Sequence, residues 1–175
     1  MKIVFVTSNR SEYGLLKRLV KLSNNSEKLE AFLIVTGDHL SQIINSEKEI
    51  VEDNIPISAK IKLSPTSDNP YSILIAMGDA LKSFSQNLSR LNPDAIIILG
   101  DRYESLAVAT ASLLLKIPLI HISGGEITKG SIDDTIRHSI TKMADYHFVA
   151  VEEFKNHVIK MGEDPFRIFV VGGMG

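Results

Sequence analysis

Ala95-Ile96-Ile97-Ile98-Leu99-Gly100-Asp101-Arg102 is an unbroken, β-branched apolar run that gives way at once to a glycine, an acid and an arginine. A run without polar alternation fits a strand buried on both faces, as in parallel sheets covered by helices. Its polar tail then lands at the carboxyl end of the strand, where open α/β sheets bind their ligands. The pattern recurs at Leu119-Ile120-His121-Ile122-Ser123-Gly124-Gly125-Glu126.

Working outward, apolar runs alternate with helical patterns along the whole chain. Residues 2–7 read as a strand, the polar Ser8-Asn9-Arg10-Ser11-Glu12 as a loop, and Leu15, Leu16, Leu19, Val20 and Leu22 as one helix face. A strand follows over 30–37, and the spacing predicts a helix from about Leu40. Residues 57–63 form a weaker strand with Pro56 at its entrance, which suits a sheet edge. The proline-rich 64–70 reads as a loop, and 71–91 as a long helix with Gly78 its weak point, ended by Asn92-Pro93. Strands over 95–99, 119–122, 146–150 and 168–171 then alternate with helices over 104–115, 133–144 and 152–161. Such alternation predicts an α/β fold with a Rossmann-like, doubly wound, mainly parallel sheet.

Composition narrows the function. The 175 residues suit one domain, and 44% hydrophobic residues suffice for a sizeable core. There is no cysteine, so disulfides, thiolate nucleophiles and cysteine-ligated metals are excluded, and a reducing cytoplasm is the default expectation. With the first strand starting at Lys2 no signal segment is expected, and no apolar run approaches the roughly 20 residues of a membrane span. A net charge of -2 without a basic stripe argues against nucleic acid as a partner. The end at Val170-Val171-Gly172-Gly173-Met174-Gly175, straight after a strand, reads as a cut within a longer protein.

Three segments carry chemistry. Arg10 follows the first strand at a helix start, where free amides and the dipole favour an anion, although a solvated loop arginine explains it equally well. The loop lacks the glycines of a dinucleotide fingerprint, which disfavours NAD. Asp101 is a candidate acid, or simply the cap of the next helix. His121 and Glu126 bracket Gly124-Gly125, where a backbone can approach a ligand closely and a carboxylate suits proton transfer. His121 also fits a satisfied core histidine. Asp133 and Asp134 open a helix one turn before Arg137 and His138, placing Asp133 on the face of Arg137 and Asp134 on that of both, as structural ion pairs also require. No metal-spaced pair occurs, and the nearby arginines oppose a cation, so no metal is expected. Ser123 lies outside a nucleophile elbow.

Taken in order, Thr7 to Gly14, Leu99 to Glu104, His121 to Glu126 and Ile132 to Lys142 resemble the hydrolysing UDP-N-acetylglucosamine 2-epimerases of sialic acid biosynthesis. The resemblance implies a two-domain enzyme of the glycosyltransferase-B type, of which residues 1–175 form the amino-terminal domain. The absent carboxyl-terminal domain would supply most UDP contacts, and the chain alone would be inactive. It implies elimination of UDP to a 2-acetamidoglucal followed by hydration at C2, with a UDP-sugar substrate, no cofactor and a homodimer. Asp101, Glu126 and Asp133 are then the acid/base set. Arg10, Arg102, His121, Ser123, Gly124, Gly125, Arg137 and His138 are then the substrate contacts. Ser123 stands where some members carry Glu, which makes Glu126 the candidate C2 base. Relatives acting on UDP-2,4-diacetamido-2,4,6-trideoxyhexoses share these motifs and give an alternative substrate. A non-catalytic nucleotide-sugar-binding module is the alternative from another class, and a flavodoxin-like or response-regulator-like domain ranks last.

Overall fold

The computed structural model describes residues 1–41, 44, 46–63, 65, 67 and 69–175. Seven strands form one sheet: β1 (Lys2–Thr7), β2 (Glu30–Val35), β3 (Ile57–Lys60), β4 (Ala95–Leu99), β5 (Leu119–Ile122), β6 (Tyr146–Val149) and β7 (Ile168–Val170). Their order is β3-β2-β1-β4-β5-β6-β7, and every pairing is parallel. The chain winds outward from β1 in one direction and from β4 in the other. The switch point lies between those two strands, so the loops after them must diverge and open a crevice.

Helices α1 (Arg10–Asn24), α2 (Glu47–Glu52), α3 (Pro70–Leu91), α4 (Tyr103–Leu115), α5 (Ile132–Met143) and α6 (Glu152–Lys160) connect the strands. One core layer packs Val4, Ile34, Ile96 and Ile98 of the sheet against Phe84 and Leu88 of α3, Val108 of α4 and Ile140 of α5. The other packs Phe5, Leu33 and Leu99 against Tyr13, Leu16 and Val20 of α1. Adjacent strand residues thus alternate between two apolar layers, and this double burial explains the unbroken apolar runs.

Two expectations need correction. Where a helix is expected from Leu40, the chain instead makes a short 3-10 turn at Gly37–Leu40, and the helix starts only at Glu47; residues 42, 43 and 45 lie outside the described residues. His39 drives this turn. It is fully buried, with Nε2 3.1 Å from Thr7 Oγ1 and Nδ1 2.8 Å from Ser46 Oγ, so it anchors the segment to the sheet. Strand β3 is an edge strand as expected but stops at Lys60, while Ile61 and Leu63 turn into the core. Of the expected loop over 64–70, residues 64, 66 and 68 lie outside the described residues. Helix α3 begins at Pro70, in the first turn, where its missing amide costs nothing, and Asn69 caps it by accepting from the Ser72 amide at 2.8 Å.

Candidate functional site

The loops after β1, β2, β4 and β5 and the start of α5 meet at the carboxyl edge of the sheet. Arg137 ties three of them together. Only 6% exposed, it donates to the Asp101 carboxylate through Nη2, and to the Glu126 carbonyl (2.9 Å) and Thr128 Oγ1 (3.1 Å) through Nη1. The loop after β4, the loop after β5 and helix α5 are thereby held as one unit. Asp134 joins it, 3.9 Å from Arg137, 3.7 Å from His138 Nε2, and accepting from the Thr128 amide at 2.8 Å.

These contacts sort the sequence candidates. Asp101 does not cap α4: Arg102 occupies the N-cap, and the Asp101 carboxylate turns to Arg137. Asp133 is exposed and bonded to Ser131 (2.9 Å), so Asp134, and not Asp133, supplies the ion pair to Arg137. Arg137 is spent on the scaffold and has little surface left for a substrate. Glu126 is half-buried at the rim, and its backbone rather than its side chain is engaged by Arg137. His138 is one-third exposed, and its Nδ1, shielded from solvent, lacks a hydrogen-bond partner among the described residues. It lines an open depression with Asp134, Thr135, Ser139 and Lys142.

His121 does not reach the crevice. Fully buried, it lies 2.8 Å from the Gly100 carbonyl through Nε2 and 3.2 Å from Thr141 Oγ1 through Nδ1. Burial pushes its pKa down to about 4, so the ring is neutral, with its proton on Nε2 facing the carbonyl. The core-histidine alternative is the one observed, and His121 braces the turn that carries Asp101.

The paired glycines also serve packing. A Cβ on Gly124 would come 3.0 Å from Thr141 Oγ1, and one on Gly125 would come 2.5 Å from the Phe154 carbonyl of α6. Gly125 further holds φ +78°, which disfavours any side chain. Gly125→Ala is therefore expected to lower stability by about 2 kcal/mol, read as a lower urea midpoint at unchanged slope. Ser123 beside it adopts φ 66° without glycine's freedom. The other three positive-φ non-glycine residues follow helix ends, and Ser123 follows a strand. Such outliers concentrate where function holds a backbone in place.

Arg10 and Arg102 come together at the switch point. With Asn9, Ser11, Asp38 and Ile44 they line an open depression of about 310 Å³. Arg10 is largely exposed and donates to Glu49 at 3.0 Å, while the first turn of α1 presents backbone amides beside it. Two arginines and a helix start suit an anion. Among the described residues, no group of three acidic or histidine side chains is placed to hold a metal ion, and no helix is long and apolar enough to cross a membrane.

Sequence reasoning missed two buried acids. Glu104 is 1% exposed and accepts from Arg102 Nε (3.2 Å) and Nη2 (3.1 Å). Glu12, 7% exposed, accepts from the Ser8 amide (2.7 Å) and hydroxyl (2.8 Å). Desolvation raises the Glu12 pKa to about 7, against the Ser8 hydrogen bonds and with help from the Glu104 charge. In the sequence Glu12 reads as part of a polar loop and Glu104 as an ordinary first-turn acid, and only the packing of loops over them reveals their burial.

Fold and site together define a Rossmann-like α/β domain with acids and arginines gathered at its switch point. Residues 21–175 match the UDP-N-acetylglucosamine 2-epimerase family model, and the chain belongs to that family. It is 40% identical over 173 residues to a GDP/UDP-N,N'-diacetylbacillosamine 2-epimerase (hydrolyzing) of Campylobacter jejuni, covering 99% of this chain and 45% of that protein. It is 38% identical over 175 residues to a UDP-N,N'-diacetylbacillosamine 2-epimerase (hydrolyzing) of Legionella pneumophila, with coverage of 99% and 45%. In fold it is similar to a UDP-GlcNAc 2-epimerase from Neisseria meningitidis solved with UDP-GlcNAc bound (TM-score 0.86, 18% identity, 99% of this chain and 46% of that one). The chain thus spans about half the length of the relatives it matches, consistent with one Rossmann-like half of a glycosyltransferase-B-type architecture.

Proposed function

We propose that this chain is the amino-terminal half of a hydrolysing UDP-sugar 2-epimerase, releasing UDP and a C2-inverted free sugar. The observation that carries the reading is the Arg137 hub, which gathers Asp101, the Glu126 loop and the start of α5 into one crevice. A base removes the C2 proton as the C1–O bond to UDP breaks, giving the 2-acetamidoglycal of the sugar. Water then adds across that double bond, with a proton returned to C2 from the opposite face. Asp101, Glu126 and Asp133 are the acids offered for these transfers, with Glu126 as C2 base because Ser123 has no carboxylate. Arg10, Arg102 and the start of α1 receive the diphosphate, and His138 a neighbouring anionic or hydroxyl group. A carboxyl-terminal UDP-binding domain completes the cleft, and we expect residues 1–175 alone to be inactive, the whole enzyme to be a cytoplasmic homodimer, and the reaction to need no cofactor.

The sugar we favour is a UDP-2,4-diacetamido-2,4,6-trideoxyhexose, because two relatives at 40% and 38% identity are named for such a substrate. UDP-N-acetylglucosamine, the sugar the motifs suggest first, becomes the second reading. Incubating the full-length protein with each UDP-sugar separately, and following UDP release and product mass, tests both. We expect UDP with the diacetamido sugar and at least tenfold lower kcat/KM with UDP-N-acetylglucosamine. Saturable UDP-sugar binding without UDP release would instead favour the non-catalytic module.

A further inference from the structure

Glu104 and Arg102 form a costly arrangement that stability alone does not explain. Arginine stands at the N-cap of α4 with no side-chain cap, where Ser, Asp or Asn would stabilise the helix. The acid two residues on is buried, which is unfavourable unless it is paired. The surroundings are shaped to keep it there. Gly37 leaves space for the Glu104 carboxylate, since a Cβ at that position would come 2.8 Å from Glu104 Oε1 and 2.9 Å from the Ser8 carbonyl. The fork of Arg102 is thereby gripped by two parallel hydrogen bonds, with Asp38 at 3.5 Å and the Tyr103 ring 5.9 Å from its carbon centre. A third of the side chain stays open to the depression it shares with Arg10.

We propose that Glu104 is a positioning residue: its buried carboxylate fixes Arg102 at the switch point, and Arg102 so held receives the diphosphate of the nucleotide sugar. An arginine free to choose among rotamers would lose that freedom on binding, and the clamp removes this cost beforehand. The inference rests on the UDP-sugar reading above and adds a residue to it that contacts no substrate.

A double-mutant cycle in the full-length protein tests it, using UDP release for KM and kcat and equilibrium binding of UDP alone. Arg102→Ala and Glu104→Gln are each expected to raise KM and the UDP Kd about tenfold, a size ordinary for a charged hydrogen-bonding group, with kcat within about threefold. The double variant should match Arg102→Ala alone, because Glu104 acts only through that side chain. Unchanged KM and Kd in Glu104→Gln, or additive losses in the double variant, would overturn the proposal. A merely structural role would lower Tm and leave KM in place, which also overturns it. If Glu104→Gln does not fold, the paired Arg102→Met/Glu104→Met variant removes both charges together, a change buried ion pairs commonly tolerate, and normal affinity there overturns the proposal. A wild-type protein that binds UDP without releasing it from any UDP-sugar would instead defeat the enzymatic reading, and the Kd cycle would still decide the role of Glu104.

Discussion

Asp101→Asn in the full-length protein is expected to lower kcat for UDP release by about 10³-fold, in the range typical for removing a positioned acid or base. The substitution keeps the shape of the side chain and an oxygen that can accept from Arg137, so the geometry of the hub changes little. It does remove a charge from a pair whose arginine is almost wholly buried, and stability should fall by about 1–2 kcal/mol. The two effects separate under conditions where both proteins are fully folded by circular dichroism. Turnover there within a few-fold of wild type would remove Asp101 from the catalytic set. Arg137→Lys is the companion variant: it retains the carboxylate but not the three-way grip, and should lose stability and rate together.

What the chain disclosed before folding, and what it withheld, follow from the range of the interactions involved. The parallel sheet was legible because Ile96, Ile98 and Leu119 face one layer while Leu99 and Ile122 face the other, so burial on both sides writes itself as a local apolar run. The position of the crevice was legible too, since polar groups directly after such strands have one place to go. Individual side-chain roles were not. Helical spacing allowed both Asp133 and Asp134 to face Arg137, and the loop contact from the Thr128 amide to Asp134 is what decides between them. His121 looked alike as a ligand or as a core residue until the Gly100 carbonyl and Thr141 closed around it. The turn at Gly37–Leu40 escaped because a buried histidine, not periodicity, sets its path. Glu12 and Glu104 escaped because nothing in a loop acid or a first-turn acid tells which segments will cover it.

Glu12 supplies the second large effect. Its pKa is raised from 4.5 unfolded to about 7 folded, so the folded protein binds that proton more tightly. The contribution to stability is complete below pH 4.5 and is lost as pH rises through about 7, and the gap between the two values corresponds to about 3 kcal/mol. Buried histidines work in the opposite direction. His39, His121 and His147 are held below their ordinary pKa by burial, so they destabilise the fold as pH falls below 6.5. The curve of wild type alone therefore mixes both signs, and the informative quantity is its difference from Glu12→Gln. Glutamine keeps one oxygen, which is sufficient because both Ser8 hydrogen bonds end on the same carboxylate oxygen. Urea unfolding should find the two proteins alike near pH 4 and Glu12→Gln more stable by about 3 kcal/mol at pH 8. Curves that stay parallel from pH 4 to pH 8 would show that Glu12 titrates normally in the fold. Removing Glu104 as well should shrink the difference, because its charge is one of the causes that raise Glu12.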